Sequence, residues 1–546
     1  MAYQKSQMGG LRPTQPLDRN TRTTPVSHAR TLRYDDLSCV TSTFGGKFLP
    51  VAAVPLLRED RALNSMINVN FQMAETADML LNPVRASVSA WLVPKMAFSR
   101  FAGWDSINRS YNGQTEIDDS VIPWFEVWAP GVDDELMQAM GIHLAANGVA
   151  NTDYVESYNA IWNHIAKNMS KDIALRDDFD STIAPAFWDH TQLKYVKATF
   201  DDVMMEGQVP ITITSGDQLK VLAQPGFTSS QGMRGSIDPD TGKTLLTSGI
   251  DDPSTFFWTE LQAEGVQLTL ANIDLARETA AWARLRSEYQ HLDEDWMMDQ
   301  LLSGVAMPEE AMKQPILLDR QTVPFGMIQR YATDGASLEQ SATNGQTGAT
   351  LRIRTPQINT GGVIMICAQC LPEMVYERQR DYYLMASKTA DLPQRTQDEL
   401  DPQPVVEIFN QEVDELHSMP NEVFGYAPLN HQWMRSKPKI GGKYYRDDPT
   451  GPWSENRTRI WDTSTVDPKL GEDFYLATNI RHDVFKSQNS DPFEVWASGR
   501  VAIEGLTYFG PALRESTNDY DKVLEQVDTT RIDPPEVTVQ DAKKGD

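Results

Sequence analysis

Along most of this chain the apolar residues recur in short runs that alternate with polar ones. Val84, Ala86, Val88, Ala90 and Leu92 share one face of an extended segment, and Val209, Ile211 and Ile213 share one face of another. Comparable runs occupy 351–355, 363–370, 493–497 and 501–508. They lie tens of residues apart without a regular strand and helix alternation. That spacing predicts antiparallel sheets packed as a sandwich or jelly roll whose connections have been enlarged. Two stretches change to helical spacing. Tyr154, Tyr158, Ile161, Trp162 and Ile165 share a face over 154–166, and 272–291, opened by Asn272 as a cap and rich in Ala, Arg and Glu, predicts a second helix.

The pattern is absent at both ends. Residues 1–36 set Pro13, Pro16 and Pro25 among Gln, Thr, Asn and Arg with no hydrophobic period, which predicts an arm. A main folded block follows over 37–514. Within it the Gly, Ser, Asp and Pro-rich stretch 215–265, with Gly226, Gly232, Gly235 and Gly242, predicts an exposed excursion. From 515 to 546 the pattern fades into an acidic tail. No internal repeat is present.

With 40% hydrophobic residues, including 13 Trp, 17 Tyr and 19 Phe among 546 positions, the chain has ample material for a large core. Its 49 basic and 76 acidic residues leave a net charge of −27, which argues against a surface that coats nucleic acid or an anionic membrane along its whole extent. The charge is polarised. Residues 1–34 carry Lys5, Arg12, Arg19, Arg22, Arg30 and Arg33 against Asp18 alone, so contact with a polyanion is expected to be local. Three cysteines, Cys39, Cys367 and Cys370, form no disulfide framework and fit synthesis in a reducing cytoplasm. The start has no apolar signal core, and no run reaches the roughly 18 apolar residues of a membrane span.

Motifs that carry chemistry are few. Cys367-Ala-Gln-Cys370 lies inside an apolar strand, where positions three apart face opposite sides, so buried thiols are expected and a metal site is not. Asp238-Pro-Asp-Thr-Gly242 opens like a calcium loop, but its Gly arrives one position early and the bidentate Glu is missing; a polar turn is expected. Asp177-Asp-Phe-Asp180 reads as a solvated acidic loop. There is no HExxH, GxSxG, Walker or GxGxxG pattern, and His482-Asp483 is adjacency in sequence only. An enzyme is not expected, and neither a cofactor nor a metal.

One constellation rises above this background. Residues 433–446 hold Arg435, Lys437, Lys439, Lys443 and Arg446 with Trp433, Tyr444 and Tyr445, and no acid. Cations that neutralise phosphate, mixed with flat rings that stack on unpaired bases, suit single-stranded nucleic acid. A basic loop that pairs with acids of a neighbouring subunit is the equal alternative. Arg12, Arg19, Arg22, Arg30 and Arg33 of the arm are the second candidate set, on an arm expected to face inward or to thread between subunits.

Ordered segments over about 43–461 resemble the major capsid proteins of the Microviridae, especially the gokushovirus-like branch. They are Thr43-Phe-Gly-Gly-Lys-Phe-Leu-Pro50 with Val54-Pro-Leu-Leu-Arg-Glu-Asp60, Asn82-Pro-Val-Arg-Ala-Ser-Val-Ser-Ala-Trp-Leu-Val-Pro94, and Tyr158-Asn-Ala-Ile-Trp-Asn163. Gly207-Gln-Val-Pro-Ile-Thr-Ile213, Gln314-Pro-Ile-Leu-Leu-Asp-Arg320 and Gly361-Gly-Val-Ile-Met-Ile366 follow, and then Val423-Phe-Gly-Tyr426 with Arg435, Lys437-Pro438 and Gly441. The chain departs from the pattern after Asn163, and its 215–265 excursion is shorter than the loop that builds threefold protrusions in gokushoviruses.

The resemblance implies a mainly β protein, a single eight-stranded antiparallel jelly roll of the viral capsid type with long inserted loops and a few helices. It implies a structural subunit, about sixty to a T=1 icosahedral shell, enclosing a circular single-stranded DNA phage genome. The implied partners are further copies of the chain, that genome, a small basic DNA-binding protein and a DNA pilot protein of the virion, and a host surface receptor. The implied location is the virion, with assembly in the bacterial cytoplasm. Two other classes stay open, a carbohydrate-active β-sandwich enzyme and a viral accessory or scaffolding protein.

Overall fold

The computed structural model describes residues 28–510 apart from 116–119, 129–133, 144–148, 171, 190–192, 194–195, 199–311, 332–340, 375, 396–404, 435–438, 446–458 and 462–466; inside 199–311 it places only four short strands. The protein is mainly β, with antiparallel sheets. Among the described residues, eight long strands stand out: β1 Thr31–Thr43, β2 Leu49–Leu56, β3 Ser65–Thr76, β4 Val84–Pro94, β5 Ile316–Pro324, β6 Ser341–Ile353, β7 Gly362–Pro372 and β8 Phe493–Gly505. One sheet runs β1-β8-β3-β6 and ends on a short strand, Gly326–Tyr331, while Arg61–Ala62 pairs at the end of β8. The other runs β5-β4-β7-β2.

The sequence pattern explains how each sheet sits. In β3 and β8 apolar and polar residues alternate, so Ile67, Val69, Phe71 and Met73 with Val495, Ala497, Val501 and Ile503 line the core while their neighbours face out. In β7, and in β4 from Ala90 to Pro94, the apolar runs are continuous, and those stretches are buried on both faces. Ala90, Leu92, Ile364 and Ile366 turn toward the first sheet, whereas Trp91, Val93 and Met365 turn away into a second core under a helix, α1, Asp153–Met169. A bulge in β2 opposite Ile366 and Cys367 resets its alternation, so that Leu49, Val51, Ala52, Val54 and Leu56 all reach the inter-sheet core. The layers are therefore sheet, sheet and helix.

Several expectations hold. The 84–92 run lies in β4, 351–353 closes β6, 363–370 lies in β7, and α1 covers 154–166. The two runs at 493–497 and 501–508 are one strand, β8, which ends at Gly505. The strand at 209–213 and the helix at 272–291 lie outside the described residues. So does Asp238–Gly242, although the flanking Arg234–Ile237 and Thr244–Thr247 pair antiparallel.

The arm assigned to 1–36 needs a correction at its end. β1 begins at Thr31 and pairs with β8 in unbroken register from Thr31↔Gly505 to Thr43↔Phe493. The hydrophobic pattern hides it because its inward face sets Leu37, which packs on the core, among half-buried Arg33, Asp35, Cys39 and Thr41, while Leu32, Tyr34 and Val40 point outward. The buried carboxylate of Asp60 closes this end of the molecule. It accepts from the Arg33 guanidinium at 2.8 Å and from Leu57 N at 2.9 Å. Gly505 is required beside it, since a Cβ there would stand 1.8 Å from Asp60 Oδ1.

Candidate nucleic-acid interface

Of the basic and aromatic residues singled out in 433–446, five are described. Trp433 closes the short 3₁₀ turn His431–Trp433 and is partly exposed, next to the exposed Met434. Lys439 reaches across to Asp381, Nζ to Oδ2 3.1 Å. Lys443 lies in the turn Gly442–Tyr444, where Gly442 takes a φ of +66°, and its Nζ stands 5.1 Å from the centroid of the Tyr444 ring. The Tyr444 hydroxyl accepts from Arg459 at 3.4 Å. Tyr445 is strongly exposed. Arg435, Lys437 and Arg446 lie outside the described residues.

This geometry joins a cation, a ring and a surface position, the elements that phosphate neutralisation and base stacking need. It also tempers them. The acid missing from the segment is supplied from outside it by Asp381, and Lys443 already lies against one face of Tyr444.

The arm set divides. Arg12, Arg19 and Arg22 lie outside the described residues. Arg30 and Arg33 are engaged within the chain, Arg30 with the Glu59 carbonyl at 2.8 Å and its carboxylate at 3.6 Å, and Arg33 with Asp60 and the Pro55 carbonyl. Their guanidinium groups fasten the β1 end to the turn after β2, so both already have partners within the chain. Charge along the sequence could not reveal this, because Asp60 stands 27 residues from Arg33.

The remaining motifs resolve into structure. Cys367 packs in the core under α1 and Cys370 in the core between the sheets, on opposite faces of β7, and burial pushes both thiols well above their ordinary range. In the acidic loop Asp180 pairs with Arg176 and caps Thr182, while Asp178 accepts from Ser99. Asp483 is held by Arg481 through two bonds of 2.9 and 2.6 Å, so its carboxylate serves that guanidinium. No group of three or more His, Cys, Asp or Glu able to hold a metal occurs among the described residues. Among them, no helix is long and apolar enough to cross a membrane.

The Tyr158–Asn163 motif has a definite task. Tyr158 donates to Phe48 O at 2.6 Å and accepts from Ala184 N at 2.9 Å; Trp162 donates to Pro185 O at 3.0 Å. Asn159 donates to the carbonyls of Asp178 and Asp180, and Asn163 exchanges two bonds with the Arg176 backbone. The polar side chains of α1 thus satisfy the backbone of 176–185 and fix that loop against the second sheet.

Two features had no clear signal in the sequence. Lys95, just past β4, is 3% exposed; its Nζ meets Asp153 at 2.8 Å and lies 3.9 Å from the centroid of Phe125. Arg100 joins Asp153 and Glu156, so two cations hold the acidic first turn of α1, and burial holds the Lys95 amine below its usual range. Beside Lys95 opens a cleft of 790 Å³, walled by the ends of β2 and β7, Trp124, the start of α1 and the residues after β8. No protein-family model and no curated protein matches the chain.

Proposed function

We propose that the chain is a structural shell subunit of the microvirus type, an eight-stranded jelly roll that assembles with itself, about sixty copies to a T=1 icosahedral shell, around a circular single-stranded DNA genome. The observation that carries this reading is the pairing of the eight long strands. First neighbours eighth, second neighbours seventh, third neighbours sixth and fourth neighbours fifth. That is the order obtained when one long antiparallel hairpin is rolled so that its pairs alternate between two sheets. Viral capsid, lectin and cupin domains share such rolls, and the ordered resemblance over 43–461 selects the capsid.

The surface is consistent with that role. Shells close through many modest interfaces repeated by symmetry, and exposed apolar side chains such as Tyr383, Leu384, Met434 and Tyr508 are available for them. With a net charge of −27 the subunit touches DNA sparsely, at 433–446 and the basic residues before β1, and a small basic protein of the virion neutralises much of the genome. A DNA pilot protein and a host receptor complete the partners, and the chain resides in the virion after assembly in the bacterial cytoplasm. A carbohydrate-active enzyme needs two carboxylates across a cleft. The described lining of the cleft beside Lys95 holds one, Asp153, already paired.

Electron microscopy of the expressed full chain tests the proposal. Closed shells of roughly 300 Å are expected for sixty domains of this size. A monomer with hydrolytic activity, or a protein missing from purified particles, overturns it.

A further inference from the structure

The cleft beside Lys95 has an unusual rim. Leu57, Tyr111, Phe125, Val149 and Leu506 line it, and each is at least 43% exposed although large and apolar. Leu506 and Thr507 form its wall at the exit of β8, and the next two residues, Tyr508 and Phe509, project from the same place at 84% and 53% exposure. A hole and an apolar tip therefore sit side by side on one face. Exposed apolar surface gathered in this way marks a protein contact.

We infer that this face is a two-fold contact between copies of the chain, in which Tyr508 and Phe509 of each copy enter the cleft of the other. An isologous interface requires donor and acceptor on the same patch, so that each copy gives and receives; this patch has both. The area fits. At roughly 150–250 Å² for each aromatic side chain and somewhat less for each aliphatic one, the exposed parts of the five rim residues and the two tip residues come to on the order of 700 Å² per copy, close to the roughly 800 Å² per partner of a stable interface. The polar groups at the cleft suit an aromatic guest. The Arg58 guanidinium already lies 4.4 Å from the Tyr111 ring centroid, fixed by Asn108 and the Asn359 carbonyl.

The inference rests on the shell reading, since an icosahedral shell supplies the two-fold axes. It is tested with two full-length chains bearing different affinity tags, one carrying Tyr508→Cys and the other Val149→Cys, both with Cys39→Ser. Mixed under mild oxidation, they are expected to form a disulfide between the two chains at least tenfold in excess of either chain with itself. The pair Tyr508→Ser, Phe509→Ser, at unchanged melting temperature, is expected to raise the dissociation constant between copies at least tenfold in sedimentation equilibrium. Absence of the mixed disulfide overturns the contact. So does a chain carrying both cysteines that closes the disulfide only within itself. Microscopy of the same samples separates the two ideas. Shells without the mixed disulfide sink this contact and leave the shell standing; cross-linked pairs that never build shells keep the contact and sink the shell.

Discussion

Arg33 and Asp60 meet at 2.8 Å with the carboxylate side chain only 1% exposed, and this pair fastens the outermost strand of the first sheet to the turn after β2. Removing one partner of a buried pair strands the other charge. Arg33→Ala is expected to lower unfolding free energy by about 3 kcal/mol, while Arg30→Ala, whose pair with Glu59 is far more solvated, is expected to lose under about 1 kcal/mol. Urea denaturation of the two variants checks this. Equal, small losses would remove Arg33 from its structural role.

Tyr158→Phe leaves the Phe48 carbonyl and the Ala184 amide without the hydroxyl they share. A cost of about 1–3 kcal/mol follows from two buried polar groups left unmatched. Asn159→Ala, which removes bonds to Asp178, Asp180 and Arg176, is expected to cost at least as much and to admit protease into 176–185. Limited proteolysis that cuts wild type and variant at the same rate would contradict the assigned clamp.

His482 stands edge-on to Phe44, ring centroids 5.3 Å apart, and burial holds its imidazole below the usual value of 6.5, opposed in part by Asp483. The unfolded chain binds the proton more readily. Stability from this group is therefore complete above the ordinary histidine value and is lost as pH falls through the lower folded value. Melting temperature is expected to fall between neutral pH and about pH 5, and His482→Gln is expected to flatten that fall. Parallel curves for the two proteins would dismiss it.

Lys439 is held by Asp381, so the two residues make opposite predictions for single-stranded DNA. Lys439→Glu is expected to weaken binding of an oligonucleotide and to reduce the salt slope by about 0.7, the share of one phosphate contact on a single strand. Lys437→Glu is expected to add a similar reduction. Asp381→Asn, which releases the ammonium, is expected to tighten binding a few-fold. Fluorescence anisotropy across a salt series reads all three, and an unchanged slope would move the contact elsewhere.

The strands legible in the sequence are those whose side chains meet a dry surface. In β7, and in β4 from Ala90 onward, continuous apolar runs announce two buried faces, and the alternation seen at 493–497 also runs through Ile67, Val69, Phe71 and Met73. β1 was hidden because an ion pair and half-buried polar groups surround Leu37 on its inward face. β6 starts Ser341-Ala-Thr-Asn-Gly-Gln-Thr-Gly348, and only its last residues carry the apolar signal. The site divides along the same line. Density of charge picks out 433–446, but it does not say that Asp381 meets Lys439, or that Asp60 takes Arg33, because those partners are set by the fold.

β8 lies between β1 and β3, and among the described residues β1 has no other neighbour in its sheet. The strand that leaves the ribosome first among the eight must therefore wait for the last. At about 5–20 residues per second, the interval is on the order of half a minute to a minute and a half. During that time the edge of β3 is bare and the nascent chain is open to wrong pairings, as slow-closing non-local β topologies are. Because the cleft wall at Leu506 follows β8 directly, the surface proposed to join two copies is completed only at that final step. If copies do join through that face, the contact follows the closing of the sheet by β8.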